Sequence, residues 1–262
     1  MAKHRFYAPP EAFSPDGAAV ELAPDEAHHL RDALRLKEGA EVFVFDGQGR
    51  EFRCAVRSVE RRGGTVSLEI RESVAPQRPE SPLALTLAVA LLKGEKFDLV
   101  VQKATELGAT RLVPLMTRFA DIKLSDPRDA EKRVARWRRL AIEAAKQCGR
   151  ARVPVISLPV PFAQFVEGGW TEQANARTTT KRIMFAERNG GGWQQAVASS
   201  APAHVKQAVA IVGPEGGWDD EEIQRAQRAN WQIVTLGGRT LRAETAAIVA
   251  VVLLEHLYGD LR

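Results

Sequence analysis

Cysteine is scarce in this chain: Cys54 and Cys148 are the two in 262 residues. They stand far apart and share no metal-ligand spacing, so neither a disulfide framework nor a thiolate zinc site is expected. Both read as free thiols of a reducing cytosol. The five histidines form no HxxxH pair, and no metal is expected. Long apolar runs are missing too. The longest, AAIVAVVLL from Ala246 to Leu254, is too short to span a bilayer. The opening MAKHRFYAPP has no apolar h-region, which argues against a signal peptide and for a cytoplasmic protein with no membrane partner. Charge of one sign is only mildly in excess, with 37 Lys+Arg against 33 Asp+Glu, a net +4 and a pI near 9.2. That suits a polyanionic partner and equally an ordinary globular protein. No internal repeat is present.

What is there divides the chain. Residues 1–74 are β-rich. AEVFVFDGQGREFRCAVRSVE reads as strand, tight turn at Asp46-Gly47-Gln48-Gly49, and strand; GGTVSLEIRESV supplies another. A short helical pattern, DEAHHLRDALRL, precedes them, and a small barrel with one helix fits. APQRPESP, with three prolines, gives a linker over 75–82. Residues 83–262 alternate differently. LALTLAVALL is a continuous apolar strand, suited to a sheet covered on both faces. GEKFDLVVQKATELGA is an amphipathic helix that turns Phe97, Val100, Val101, Ala104 and Leu107 inward and stops at Gly108. TRLVPLMT is a strand, and a long helix opens on Asp126-Pro127. VPVISL, KRIMFAE, QAVAIVG and WQIVTLG follow as strands, which makes this region α/β with a mainly parallel sheet. The polar stretches 168–181 and RNGGGWQQAVASSAPAH read as surface loops.

The strand ends carry the functional signal. AVAIVG breaks into PEGGW before a helix capped by Asp219, with Glu222 three residues on in a capping-box arrangement. QIVTLG breaks into GRTLRAETA before the last helix. A parallel pair connected this way sets both glycine loops at the carboxyl edge of the sheet, where open α/β sheets bind ligands. KRIMFAE should end at the same edge. Glycines there let backbone approach a flat ligand, and free N–H and C=O groups can read an adenine ring. GPEGGW is neither GxGxxG nor a P-loop. Glu215 and the acidic run from Asp219 to Glu222 disfavour a phosphate cradle, so the pocket suits a ligand without phosphates.

These residues carry a resemblance. GPEGGW followed by LGGRTLRAETA resembles the SPOUT-class RNA methyltransferases, and more narrowly the RsmE family of 16S ribosomal RNA (uridine-N3) methyltransferases. HRFY, HHLRDALRLKEG, FDGQG, KGEKFDLVVQKATELGA and EAAKQCGRARVP are similar to that family's segments in its order. The resemblance implies an N-terminal PUA-like RNA-binding β-barrel and a C-terminal SPOUT-type α/β domain with a deep trefoil knot. It implies S-adenosylmethionine as cofactor, the small ribosomal subunit as partner, and a homodimer formed through the C-terminal domain. Mapped by motif, the cofactor contacts are Phe185, Ala186 and Glu187; Gly213, Pro214, Glu215, Gly216 and Gly217; then Leu236, Gly237, Arg239, Thr240, Leu241, Arg242, Thr245 and Ala246. TEQANARTTTKR and ERNGGGWQQ depart from the family's compact pattern.

Methyl transfer to uridine N3 needs alignment, exclusion of water and loss of the N3 proton. Charge then develops on the flanking carbonyl oxygens, which suits the planar guanidinium of Arg242. An ion pair with Glu244 or a phosphate contact is its alternative. Glu215 and Glu244 are the candidate bases, though Glu244 also suits a helix first turn. Candidate RNA contacts are Arg5, Arg31, Arg35 and Lys37, then Lys93 and Lys96, then Gln147 and Arg150; each is also an ordinary surface group. The last helix is apolar nearly all round, which predicts a second subunit on its outer face or burial within one chain. Two other readings stay open: a catalytically silent RNA-binding module, and a nucleotide-dependent α/β enzyme.

Overall fold

The structure, a computed structural model, describes residues 4–59, 65–124, 126–168, 179–198 and 205–261. It divides into two compact units, Met1–Glu80 with Ile142–Val153, and Ser81–Ala141 with Pro154–Arg262. The first thus takes in a segment that the sequence reading gave to 83–262. The cause is a buried cation, described below, that holds backbone carbonyls of this segment.

The first unit is a five-stranded sheet of β1 (Arg5–Tyr7), β2 (Ala19–Leu22), β3 (Glu41–Phe45), β4 (Glu51–Val59) and β5 (Val66–Val74), in the order β1-β3-β4-β5-β2. The β3–β4 turn forms where Asp46-Gly47-Gln48-Gly49 predicts it. The Asp46 carboxylate accepts from the N–H groups of Gln48 (2.8 Å) and Arg50 (3.0 Å), and Gly47 and Gly49 take φ of +74° and +108°, which favour glycine. The helix is shorter than its pattern: α1 (Pro24–His28) widens into a π-type turn over His29–Ala33. It lays Ala27 and Leu30 on a core of Phe6, Val42, Val44, Cys54 and Leu68. Burial pushes the Cys54 thiol up to about 12, so it packs as an apolar group.

Arg5 and Arg150, both expected on an RNA-facing surface, are instead interior residues of this unit, 8% and 5% exposed. Arg5 Nε donates to Glu51 Oε1 at 2.8 Å, its Nη atoms donate to the carbonyls of Ala145 (3.1 Å) and Arg150 (2.9 Å), and its guanidinium lies 4.4 Å from the Phe45 ring centre. Arg150 forks onto Glu80 Oε2 at 2.6 and 3.0 Å. Arg5 is drawn inward by the buried Glu51 carboxylate, because a lone buried charge is far costlier than a paired one, and Arg150 by the half-buried Glu80.

In the second unit β6 (Ala84–Ala90), β7 (Arg111–Met116), β8 (Val155–Ile156), β10 (Thr179–Phe185), β11 (Val205–Val212) and β12 (Gln232–Val234) form one parallel sheet, with β9 (Val160–Pro161) also on β7. The order is β12-β10-β11-β6-β7-β8. The sequence expectation that β11 and β12 are a neighbouring pair is therefore corrected, since β10 lies between them. Local pattern reveals a strand but not its neighbour. α2 (Lys96–Glu106) and α7 (Ala243–Tyr258) pack together, and α7 covers β6 and β11. α4 (Phe162–Val166) and α6 (Asp220–Arg228) pack over β7 and β12 respectively, around Phe165, Ile211, Trp218, Ile223 and Trp231. α3 (Pro127–Cys148) is the long helix opening on Asp126-Pro127.

The expected surface loops need amendment. Thr179, Thr180 and Lys181 open β10, and Trp193–Ala198 is a helix, α5. Residues 169–178 and 199–204 of those stretches, and Gly63-Gly64, lie outside the described residues. Among the described residues no helix is long and apolar enough to cross a membrane, and no group of three or more His, Cys, Asp or Glu could hold a metal ion.

Arg5→Ala should destabilise the protein by about 3–5 kcal/mol, because Glu51 is left buried and unpaired. The urea midpoint measures this, and an unchanged midpoint would return Arg5 to the surface.

Candidate functional site

Because β10, β11 and β12 run parallel, their carboxyl ends share one edge. Each ends in a segment low in regular structure, and the three segments wall one cavity of about 730 Å³. The first contributes Phe185, Ala186 and Glu187, and the second Val212 to Trp218. The third contributes Thr235 to Ala243 with Ala246, and Lys96 at the start of α2 closes the wall. The volume is that of a small-molecule site.

Trp218 fastens the first two segments together. Its indole is 1% exposed, and Nε1 donates to the Phe185 carbonyl at 2.9 Å. Its backbone N–H donates to Glu187 Oε1 at 3.2 Å, and its carbonyl accepts from Arg188 Nη2 at 2.6 Å. Arg188 also reaches Asp220 Oδ1 at 2.8 Å, at the start of α6. The glycines of this loop are required by what surrounds them. A Cβ on Gly213 would sit 2.8 Å from the indole. One on Gly217, where φ is +77°, would sit 2.8 Å from Glu187 Oε1. The capping box beyond is complete: Asp219 accepts from Glu221 N at 2.9 Å, and Glu222 Oε2 from Asp219 N at 3.1 Å. The third segment is tied to the first, since Thr235 Oγ1 accepts from Gly190 N at 3.1 Å and Thr235 N donates to the Gly191 carbonyl at 3.0 Å.

The charges in the wall are unequally committed. Glu215 Oε1 accepts from Lys96 Nζ at 2.9 Å and from the Lys93 N–H at 3.3 Å. Burial would raise its pKa, but the Lys96 hydrogen bond and charge and the backbone N–H groups outweigh that and hold the carboxyl below its ordinary range. Glu187 is paired with Arg188. Arg242, by contrast, is exposed at the rim and has no ion pair or side-chain hydrogen bond among the described residues. The expected alternative of a pair with Glu244 is not formed. Glu244 is 9% exposed, its Oε2 has no hydrogen-bond partner, and it is not part of the cavity wall.

The edge thus gathers Phe185, Ala186, Glu187, Gly213, Pro214, Glu215, Gly216, Gly217, Leu236, Gly237, Arg239, Thr240, Leu241, Arg242 and Ala246. It does not gather Thr245, which is exposed outside the wall. Sequence reasoning missed Thr235 and the fastening role of Trp218. For Trp218 the one available signal was a tryptophan directly after two glycines. Of the cations proposed for RNA, Lys96 belongs to the cavity, Lys93 pairs with Asp121 at 2.9 Å and Arg31 with Asp32 at 2.6 Å. Arg35, Lys37 and Gln147 are exposed.

Comparison with known proteins accords with this geometry. Residues 79–255 match the RNA methyltransferase domain family, and residues 22–69 match the RNA methyltransferase PUA domain. The ribosomal RNA small subunit methyltransferase E of Synechocystis is 37% identical over 240 residues, covering 92% of this chain and 74% of the relative. Its Bacillus subtilis counterpart is 29% identical, covering 91% and 92%. A methyltransferase of Legionella pneumophila, solved with bound SAM, superposes with a TM-score of 0.83 at 31% identity, covering 99% of this chain and 100% of that one. The ribosomal RNA small subunit methyltransferase E of Neisseria gonorrhoeae, bound to S-adenosyl methionine, gives 0.83 at 28% identity with full coverage of both. The small first unit is accordingly PUA-like and the second an α/β methyltransferase domain. By sequence match, domain content and fold, this chain belongs to the ribosomal RNA small subunit methyltransferase E family.

Proposed function

We propose that this chain methylates N3 of one uridine in 16S ribosomal RNA of the small ribosomal subunit, with S-adenosylmethionine as donor, as a cytoplasmic homodimer. Family membership supports RNA methyl transfer, and the SAM-bound neighbours support the donor. The observation that carries the reading is the cavity wall itself: three backbone-lined strand ends with two exposed guanidiniums, Arg239 and Arg242, that have no ion pair or side-chain hydrogen bond among the described residues.

The residues present fit such a donor. Cβ atoms added to Gly237 or Gly238 would meet nothing within 4 Å, so the room beside that backbone is left to a ligand. Glu187 and Glu215 line the wall, each ion-paired with a cation, Arg188 and Lys96 respectively. Bound, the donor supplies an electrophilic methyl group on a sulfonium. The backbone of Phe185 to Glu187, Gly213 to Gly217 and Leu236 to Arg242 would hold it, and Trp218 keeps the first two segments in register. Arg242 opposes the charge that collects on the uracil carbonyls as N3 loses its proton. Glu215, kept ionised by Lys96, is a weak base; it acts as fixed counter-charge, and Glu244 supports the first turn of α7.

The same reading brings with it a deep trefoil knot in the 83–262 SPOUT domain. The placement of β10 between β11 and β12 is in keeping with it. It also assigns 1–74 to RNA binding, with 75–82 as linker. For the dimer, the outer face of α7 offers Ile248, Val249 and Leu253, half-buried in one chain, beside Val252, which is 38% exposed. This stripe supports the reading of a dimer formed through α7.

Four measurements check this. With labelled S-adenosylmethionine and small subunits from cells lacking the activity, label should appear at N3 of a single uridine; no label, or label on another base, contradicts the reading. Arg242→Ala should lower kcat by about 10²-fold or more, while donor affinity stays within about a factor of three. The profile of kcat/KM should climb from about pH 6 to about pH 9 as the uridine ionises, in wild type and Glu215→Gln alike. The sign follows from Glu215, whose lowered pKa leaves it ionised throughout that range; a neutral limb lost in the glutamine variant would make it the base after all. For the dimer, Val252→Glu should shift sedimentation from a two-chain to a one-chain species, and an unshifted profile places the contact elsewhere.

A further inference from the structure

The cations that the sequence offered for RNA are largely committed, yet the chain carries another set. Between Pro127 and Arg139, α3 holds Arg128, Lys132, Arg133, Arg136, Arg138 and Arg139 against Asp129 and Glu131, an excess that matches the chain's whole formal charge of +4. Arg128, Lys132, Arg136 and Arg139 recur at helical spacing, so they form one stripe, and all four are exposed. The opposite side carries Trp137 and Ala141, both buried. Arg128, Arg133 and Arg139 have no ion pair or side-chain hydrogen bond among the described residues, and Lys132 reaches Asp129 only at 4.0 Å. Arg136 differs: it is bound to Asp98, which also accepts from Trp137 Nε1 at 3.0 Å, and so joins α3 to α2.

This stripe borders a cleft of about 400 Å³ whose wall includes Lys132, Arg133 and Arg136 on α3 and Gly94, Phe97 and Asp98 at the start of α2. The same turn of α2 supplies Lys96 to the cavity described above. Cationic side chains therefore stand on α3 and on the first turn of α2 within a single compact unit, interspersed with Glu95, Asp98 and Asp129. Exposed cations at 128, 132, 136 and 139, about 4.5–6 Å apart along the helix axis, two of them arginines with no ion pair among the described residues, suit a chain of phosphates better than a single anion. A buried aromatic floor leaves no ring for base stacking, so the contact is with backbone and carries no sequence preference.

We infer that the Arg128–Lys132–Arg139 face of α3 is a phosphate-binding track that grips the RNA backbone beside the target nucleotide and leads it to the cavity. The inference rests on the RNA-methylating reading for its ligand. Its test is a triple variant, Arg128→Ala, Lys132→Ala and Arg139→Ala, which spares Arg136 and the α2–α3 joint. Binding of a small-subunit rRNA fragment is followed by fluorescence anisotropy over a series of salt concentrations, with thermal melting and S-adenosylmethionine titration as controls. The track predicts an affinity loss of about tenfold or more at low salt, and a log K against log salt slope shallower by about 2 to 3. Melting and donor affinity should not move. The charge-reversed triple with glutamates should lose more. Unchanged rRNA affinity and slope overturn the track. So does a defect seen only with assembled subunits while naked rRNA binds normally, since that marks a protein-facing surface. Wild type that binds rRNA through these residues but fails to methylate it would sink the enzymatic reading and leave the track standing.

Discussion

The site depends on the indole of Trp218. One buried side chain holds the end of β10 through the Phe185 carbonyl and lies against Gly213 where β11 ends. Its own backbone is clasped by Glu187 on one side and Arg188 on the other. Without such a fastening, two glycine-rich loops would sample many conformations, and ordering them on ligand binding would cost affinity. The parallel sheet decides which edge the loops share, and Trp218 decides their spacing. Thr235 does for the third segment, by hydrogen bonds to 190 and 191, what the indole does for the second.

Electrostatics then divide the labour. Glu215, which the sequence offered as a base, is neutralised by Lys96 and accepts from a backbone N–H. Arg239 and Arg242, exposed in the third segment, have no ion pair or side-chain hydrogen bond among the described residues. On the proposed function, such a wall would meet charge that appears during reaction, which is where preorganised groups are most effective. Elsewhere the same residue type is used for architecture: Arg5 and Arg150 fold inward onto Glu51 and Glu80 and hold the first unit together.

Local features were legible in the sequence because their causes are local. The Asp219/Glu222 capping box, the turn at Asp46, the stop at Gly108 and the continuous apolar run of β6 each depend on residues a few positions apart. The glycine loops at two strand ends pointed to the cavity, and its wall holds nearly every residue that they suggested. What the sequence withheld depends on distant partners. The position of β10 between β11 and β12 is a matter of pairing, and no hydrophobic pattern encodes it. Arg5 and Arg150 look like surface cations until Glu51 and Glu80 are brought opposite them. Trp218 looks like one more apolar residue until Phe185 arrives from 33 positions away. The helix at Trp193–Ala198 is short and weakly periodic, and composition alone gave it away as loop.

The central claim is that three strand-end segments at one sheet edge close around the methyl donor. Hydrogen exchange of the protein with and without S-adenosylmethionine tests it most directly. The account predicts slowed exchange at 185–187, 213–218 and 235–246, with the remaining amides unchanged. Protection that falls elsewhere, or none at saturating donor, would contradict it.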